Sequence, residues 1–190
     1  MIRKIALFIL AIPFTVNASA PFGLTWGAPL QGYGEIVENA SEQVVTTHTL
    51  PKGPSIARYY ELYGTQAAGL LKIMMQSGYY SQHSSQFDDD FNFIKASLIN
   101  IGYHTTESKS SELSSYKCVF QGHCIGKRWY GRLDDNTSAF VVQQAPNRNL
   151  QGSIQVIFKS PEQIALELAR ADALAERAES QRANDELAFD

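Results

Sequence analysis

The chain has 190 residues, 44% of them hydrophobic and 18% charged, with a formal net charge of −3. The length suits one domain with a real core. The mild acidity, with no basic cluster, argues against nucleic-acid binding and against a polybasic membrane patch.

The N-terminus reads Met1-Ile2-Arg3-Lys4, then runs from Ile5 to Ile12 without a polar residue. A basic start followed by a short apolar stretch is the pattern of a secretory signal peptide. Pro13 ends the run well short of the roughly 20 apolar residues a membrane span needs. That counts against the alternative, an uncleaved N-terminal anchor. Val16-Asn17-Ala18 offers a small residue at each key position. The next frame, Ala18-Ser19-Ala20, would leave Pro21 first, a poor substrate for a signal peptidase. The expectation is a signal peptide over residues 1–18, cleaved near Ala18, and a periplasmic or secreted protein with no transmembrane span after cleavage. Loss of Arg3 and Lys4 takes the charge to −5. No cysteine precedes Cys118, so no lipid attachment site lies near the cut.

Phe22, Leu24 and Trp26 alternate with small or polar residues and read as a short strand broken by Gly27 and Pro29. Gly32 and Gly34 weaken any helix after it. Val44 to Leu50 is a β-branched strand, and Pro51 to Pro54 a turn. Ser55 to Tyr63 is a second strand with Ala57, Tyr59 and Tyr63 on one face and Ile56, Tyr60 and Leu62 on the other. Leu70 to Gln76 is a third.

Phe87, Phe91, Ile94, Leu98 and Ile101 fall on one helical face, so residues 86–101 read as an amphipathic helix. Ser85 is its expected cap and Gly102 its stop. Asp88, Asp89 and Asp90 suit the positive end of the helix dipole. Neighbouring helical residues do not all face one ion, so a metal reading of the triplet is the weaker one.

Residues 104–114 read as a loop. Tyr116 to Phe120 and Cys124 to Arg132 read as a hairpin, followed by strands at Ser138 to Gln144 and Ser153 to Lys159. Cys118 and Cys124 form a close, even pair. In an exported protein that predicts a disulfide, worth about 2 to 3 kcal/mol by loop entropy. Their spacing does not fit a C-x-x-C redox motif. His123 between them lacks the further ligands a metal site requires.

Ser160-Pro161-Glu162-Gln163 opens a helix: Ser160 caps, Pro161 takes the first turn and Gln163 completes a capping box. The helix can run to Leu187, roughly 40 Å at its usual rise. Ile164, Leu166 and Leu168 give way to alanines, so its first turns should dock on the sheet and the rest project. The stripe Ile164, Leu168, Ala171, Ala175 and Ala178 is too short for a dependable coiled coil, though self-association through residues 161–187 is one use for such an arm.

Three stretches carry a resemblance: Phe22-Gly23-Leu24-Thr25-Trp26-Gly27, Phe87 to Ile101, and Val156-Ile157-Phe158-Lys159-Ser160-Pro161. In layout the chain resembles bacterial exported proteins of uncharacterised function. These carry a signal peptide, a Gly-x-x-Trp-Gly segment, an α+β core and a charged C-terminal helix. It departs from them in the glycines after Trp26-Gly27 and in the Cys118/Cys124 insert. The resemblance implies an α+β protein of the bacterial envelope and no particular reaction.

Catalytic motifs are absent: there is no Gly-x-Ser-x-Gly, no His-Glu-x-x-His and no phosphate loop. His48, His83, His104 and His123 are scattered among polar residues. Asp134 and Asp135 read as turn residues. Asn39-Ala40-Ser41 and Asn136-Thr137-Ser138 fit the glycosylation triplet, a pattern frequent by chance. Aromatics are the remaining asset. Doublets in strands place one ring on each face, so Tyr59, Tyr60, Trp129 and Tyr130 are the candidate binding surface.

The sequence therefore predicts an α+β domain over 19–160, mainly antiparallel sheet packed by one amphipathic helix, with a helical arm over 161–190. The function it favours is a non-enzymatic binding or protein-interaction module, with an envelope protein or other periplasmic ligand as partner and no cofactor or metal. The alternatives are a small envelope hydrolase in which residues such as His123 and Asp134 converge, and an assembly component acting through the arm.

Overall fold

A computed structural model describes residues 18–39, 41–81, 84–109, 125–144 and 151–187. The expected fold class is present. The described residues form one eight-stranded sheet, every neighbouring pair antiparallel, and two helices. The first four strands are β1 (Ile36–Asn39), β2 (Glu42–Thr47), β3 (Ala57–Thr65) and β4 (Gly69–Ser81). Helix α1 (Ser85–Asn100) follows. Then come β5 (His104–Lys109), β6 (Ile125–Arg132), β7 (Ser138–Gln144), β8 (Gln151–Lys159) and helix α2 (Pro161–Leu187). The sheet order is β1-β2-β3-β4-β8-β7-β6-β5. Each half is a meander, and the halves join along β4 and β8.

One sheet face, the inner one, holds the core: Val45, Tyr60, Leu62, Ile73, Met75, Trp129, Val141, Ile154, Val156 and Phe158 are buried there. Two elements cover it. Helix α1 packs against β4, β8, β7 and β6. Its 16 residues span about 24 Å, enough to carry the chain from the central β4 to the far edge at β5. Phe87, Phe91 and Leu98 face the sheet as their spacing predicts. Ile101, placed on the same face by periodicity, is 69% exposed because the helix ends at Asn100.

Residues 18–34 cover the β2–β4 side. They do not form the expected strand. Pro21–Gly23 is a single 3-10 turn, and the chain doubles back with Trp26 N donating to Ala18 O at 3.0 Å. Phe22 sits at φ 60°, a costly region for a bulky side chain. Its ring is held between Tyr60 and Phe158, at 5.2 and 5.4 Å. Ala20, Leu24, Trp26 and Leu30 are buried, which is what the apolar alternation encodes. The segment is tied to the β3–β4 turn by Gly27 N to Leu70 O and Leu70 N to Ala28 O. Gly69 is required at that crossing. Its φ is +64°, and a Cβ there would lie 2.2 Å from Gly27 O.

Two further expectations change. The stretch after Gly102 begins with β5, an edge strand whose side chains are all exposed, rather than a loop. β6 pairs with β5 and β7. The proposed partner strand at 116–120 and both cysteines lie outside the described residues. Helix α2 begins as expected: Gln163 N donates to Ser160 Oγ at 3.0 Å. Only half the capping box forms, since the Gln163 amide turns to Glu167. From Leu168 to Arg182 every residue is exposed. No helix of the described residues is long and apolar enough to cross a membrane.

Candidate functional site

The outer sheet face is where side chains are left for function. Its only covering element among the described residues is the start of α2. Strand register assembles it into lateral rows. One row reads Tyr63, Lys72, Lys159, Ser138 and Arg132 across β3, β4, β8, β7 and β6. The next reads Glu61, Met74, Ile157, Phe140 and Tyr130 on the same strands. A third reads Tyr59, Gln76, Gln155, Val142 and Arg128. The middle row is apolar across β4, β8, β7 and β6, unusual for the solvated face of an antiparallel sheet.

A cleft of about 420 Å³ opens where the first turns of α2 overhang this face. Ile157, Phe140 and Tyr130 form its floor, Ile164 its roof, and Lys159, Glu167, Arg132, Ser138 and Thr106 its polar rim. Tyr130 and Phe140 stack across neighbouring strands at 4.2 Å between ring centroids, so the two rings brace each other in the floor. A volume of this size falls in the range of small-molecule sites.

Charge on the face is uneven. Lys159 Nζ meets Glu167 Oε2 at 2.6 Å, and Gln163 Nε2 donates to Glu167 Oε1 at 2.9 Å. Burial pushes the Glu167 carboxyl up, but those hydrogen bonds and the charges of Lys159 and Lys72 outweigh it and hold it below the usual range. Lys72 lies 3.5 Å from the centroid of the Tyr63 ring, a cation–π contact. Burial lowers its affinity for its proton, with the carboxylates of Glu42, Glu167 and Glu61 opposing the shift and the facing Lys159 charge adding to it. Tyr63 in turn donates to Glu61, and burial together with that bond pushes its hydroxyl well up. Arg132 makes no ion pair among the described residues.

The four candidate aromatics divide by strand parity. Tyr60 and Trp129 point into the core; Trp129 is 0% exposed, with Nε1 donating to Thr105 Oγ1 at 2.9 Å. Neither belongs to a surface, because apolar β3 and β6 side chains of that parity face α1 and residues 18–34. Tyr59 and Tyr130 lie half-buried on the outer face. The sequence reading missed Lys72, Lys159, Arg132 and Glu167; the four-residue spacing of Gln163 and Glu167 on a helix was the one usable hint.

Other candidates come apart. His104 Nε2 does approach Asp134 Oδ1 at 3.4 Å, but at 74% and 96% exposure, on an open edge rather than in a cleft. His48 Nδ1 lies 2.9 Å from Arg58 O. His83 and His123 lie outside the described residues. Asp88 is occupied by Lys127 at 2.9 Å and Gln143 at 2.8 Å, which hold its carboxyl below the usual range. Asp90 accepts from Tyr80 at 2.7 Å. No group of His, Cys, Asp and Glu suited to a metal occurs among the described residues. A second hollow of about 260 Å³ lies on the inner side between α1 and Phe22, with Phe93 and Ile101 on its rim and Lys52 its one charged lining residue.

Compared with known protein families, curated proteins and solved structures, the chain matches none.

Proposed function

We propose that this is an exported, non-enzymatic binding protein of the bacterial envelope whose ligand site is the cleft under α2. The observation that carries the binding reading is the cleft itself: an apolar, aromatic floor on a sheet face that, among the described residues, only the start of α2 covers, rimmed by separated cations. Export rests on the residue pattern of 1–18. Its boundary agrees with the packing, since Ala20 is buried and Ser19 pairs with Thr25. Cleavage after Ala20 would remove both from the fold, and cleavage after Ala18 keeps them. In the same compartment Cys118 and Cys124 would be oxidised to a disulfide.

Two measurements test this. The extracytoplasmic form should have an intact mass that begins at Ser19; a full-length cytoplasmic product overturns export. In a thermal-shift screen of small molecules, ligands that raise the melting temperature should lose their effect in Phe140→Asp. Hits indifferent to that substitution would overturn the cleft as the site.

A second reading has its own observation. Leu168 and Leu174 are 61% and 64% exposed on α2. Apolar side chains on a free helix favour an assembly arm. A concentration-dependent mass that disappears in Leu168→Glu/Leu174→Glu supports it; a monomer at all concentrations removes it.

A further inference from the structure

We propose that the cleft takes a small molecule with a carboxylate head and an apolar body, and that Glu167 holds the head's place until such a ligand displaces it. This deepens the binding reading above and rests on it.

The argument begins with the row of cations. Lys72 and Lys159 are directly opposite each other on β4 and β8, and Arg132 follows two strands beyond Lys159 with Ser138 between. Strand spacing puts Lys72 about 5 Å from Lys159 at the backbone and Arg132 about 10 Å away. Like charges directly opposite destabilise a sheet pair. The arrangement is therefore relieved by an anion, and α2 delivers one. Glu167 is seated by Lys159 at 2.6 Å and Gln163 at 2.9 Å. A carboxylate already fits this position, with one oxygen on an ammonium and the other on an amide. That fixes the chemistry of the head.

Lys72 has Glu42 and Glu61 near it as well, and Lys159 has Glu167, which leaves Arg132 as the cation of the row with no ion pair among the described residues. Glu167 also arrives on α2, whose residues are exposed from Leu168 to Arg182, so little else holds it in place. Its side chain is 40% exposed and that of Lys159 33%, so solvent and solutes reach the pair. A pair this open contributes little net stability, and exchange for an external carboxylate is nearly neutral electrostatically. What decides the exchange is the rest of the ligand. The apolar row of Met74, Ile157, Phe140 and Tyr130 runs parallel to the cations, two residues along each strand, or about 7 Å away. Glu167 has no group to lay on that floor. A ligand with an apolar body does, and its burial favours displacement.

Decanoate is the probe, with decanol and decylamine as head-group controls, measured by calorimetry on the whole protein. Decanoate should bind the wild type and the two controls should bind more weakly. Glu167→Gln removes the competing charge and keeps the shape; it should tighten decanoate about three-fold, the scale of one exposed pair. Lys159→Gln and Arg132→Gln should each weaken it, Lys159→Gln by about ten-fold as a lost charge-assisted bond. Circular dichroism checks that each variant is folded.

If Lys159→Gln abolishes binding and Glu167→Gln fails to tighten it, the place-holder role is overturned and the cleft survives as the site. Decanol binding as tightly as decanoate overturns the carboxylate head. If no probe binds the wild type or Glu167→Gln, the carboxylate proposal falls; a thermal-shift hit still sensitive to Phe140→Asp would then keep the binding reading alive with another chemistry.

Discussion

Ser77 shows how much one buried hydroxyl can settle. β4 carries a bulge between Gln76 and Tyr79, where its ladder with β8 is interrupted. Ser77, 1% exposed, fills the break: its Oγ accepts from Ile154 N at 2.8 Å and donates to Gly78 O at 2.7 Å. Gln143 plays the same part in the other half of the sheet. It takes the Lys127 N–H at the β6 bulge through Oε1 and ties Phe87 O and Asp88 through Nε2. Ser77→Ala leaves the Ile154 N–H buried and unpaired, so it should cost about 1 to 3 kcal/mol. A urea unfolding curve should show a lower midpoint at unchanged slope; an unchanged midpoint would mean that water takes the hydroxyl's place.

The tyrosine hydroxyls set the alkaline limit. Burial and the bond to Asp90 push Tyr80 up to about 12 from its ordinary 10.0. Burial also raises Tyr60, Tyr63 and Tyr103. A group raised on folding contributes stability below its unfolded value and loses it as pH climbs through the folded one. The contribution of Tyr80 is therefore intact below pH 10 and lost between 10 and about 12. Stability measured across that window should fall less steeply in Tyr80→Phe than in the wild type. An equal slope would show that Tyr80 ionises as freely in the fold as outside it.

At the scale of elements, α2 and β5 are the least anchored pieces. α2 makes its contacts with β4 and β8 through its first turns and then leaves the sheet. An isolated helix of this length holds itself by backbone cooperativity and alanine propensity alone. Trypsin should cut at Arg170, Arg177 and Arg182 well before the sheet is touched, which a time course read by mass spectrometry follows. Protection that grows with protein concentration would point instead to the assembly reading.

The same two elements mark where the sequence was legible. β8 and α1 announce themselves because each buries one periodic face: Ile154, Val156 and Phe158 alternate, and Phe87, Phe91 and Leu98 recur on a helical turn; α2 is announced by its Ser160-Pro161 start instead. β5 has nothing to announce. His104-Thr105-Thr106-Glu107-Ser108-Lys109 is exposed throughout, and its strand state comes from the ladder with β6 rather than from its own side chains. β1, four residues long, is extended for the same reason beside β2. Phe22, Leu24 and Trp26 carried a true burial signal, yet the left-handed step at Phe22 and Gly23 turned a strand pattern into a folded-back plug.

At the scale of the whole molecule, the described residues form two consecutive units of four strands and a helix, laid edge to edge. That explains why the site was harder to read than the fold. Parity within β3 and β6 says that Tyr59 opposes Tyr60 and Trp129 opposes Tyr130, but which ring faces the core depends on where α1 and residues 18–34 settle. The row of Lys72, Lys159 and Arg132 is joined by register alone, across strands far apart in the chain. Alternating polar residues on three strands are indistinguishable, in sequence, from an ordinary wet face.

The seam between the two units also orders events in time. Each meander closes through neighbouring hairpins, whereas β4 must wait for β8, with Lys72 meeting Lys159 only after the whole second unit has been made. A chain that emerges N-terminus first therefore presents one edge of the 13-residue β4, Leu70 to Met75 included, bare until β8 has been made. Such an edge invites pairing with strangers. The half-built molecule is therefore at its greatest risk of aggregation in the interval between β4 and β8.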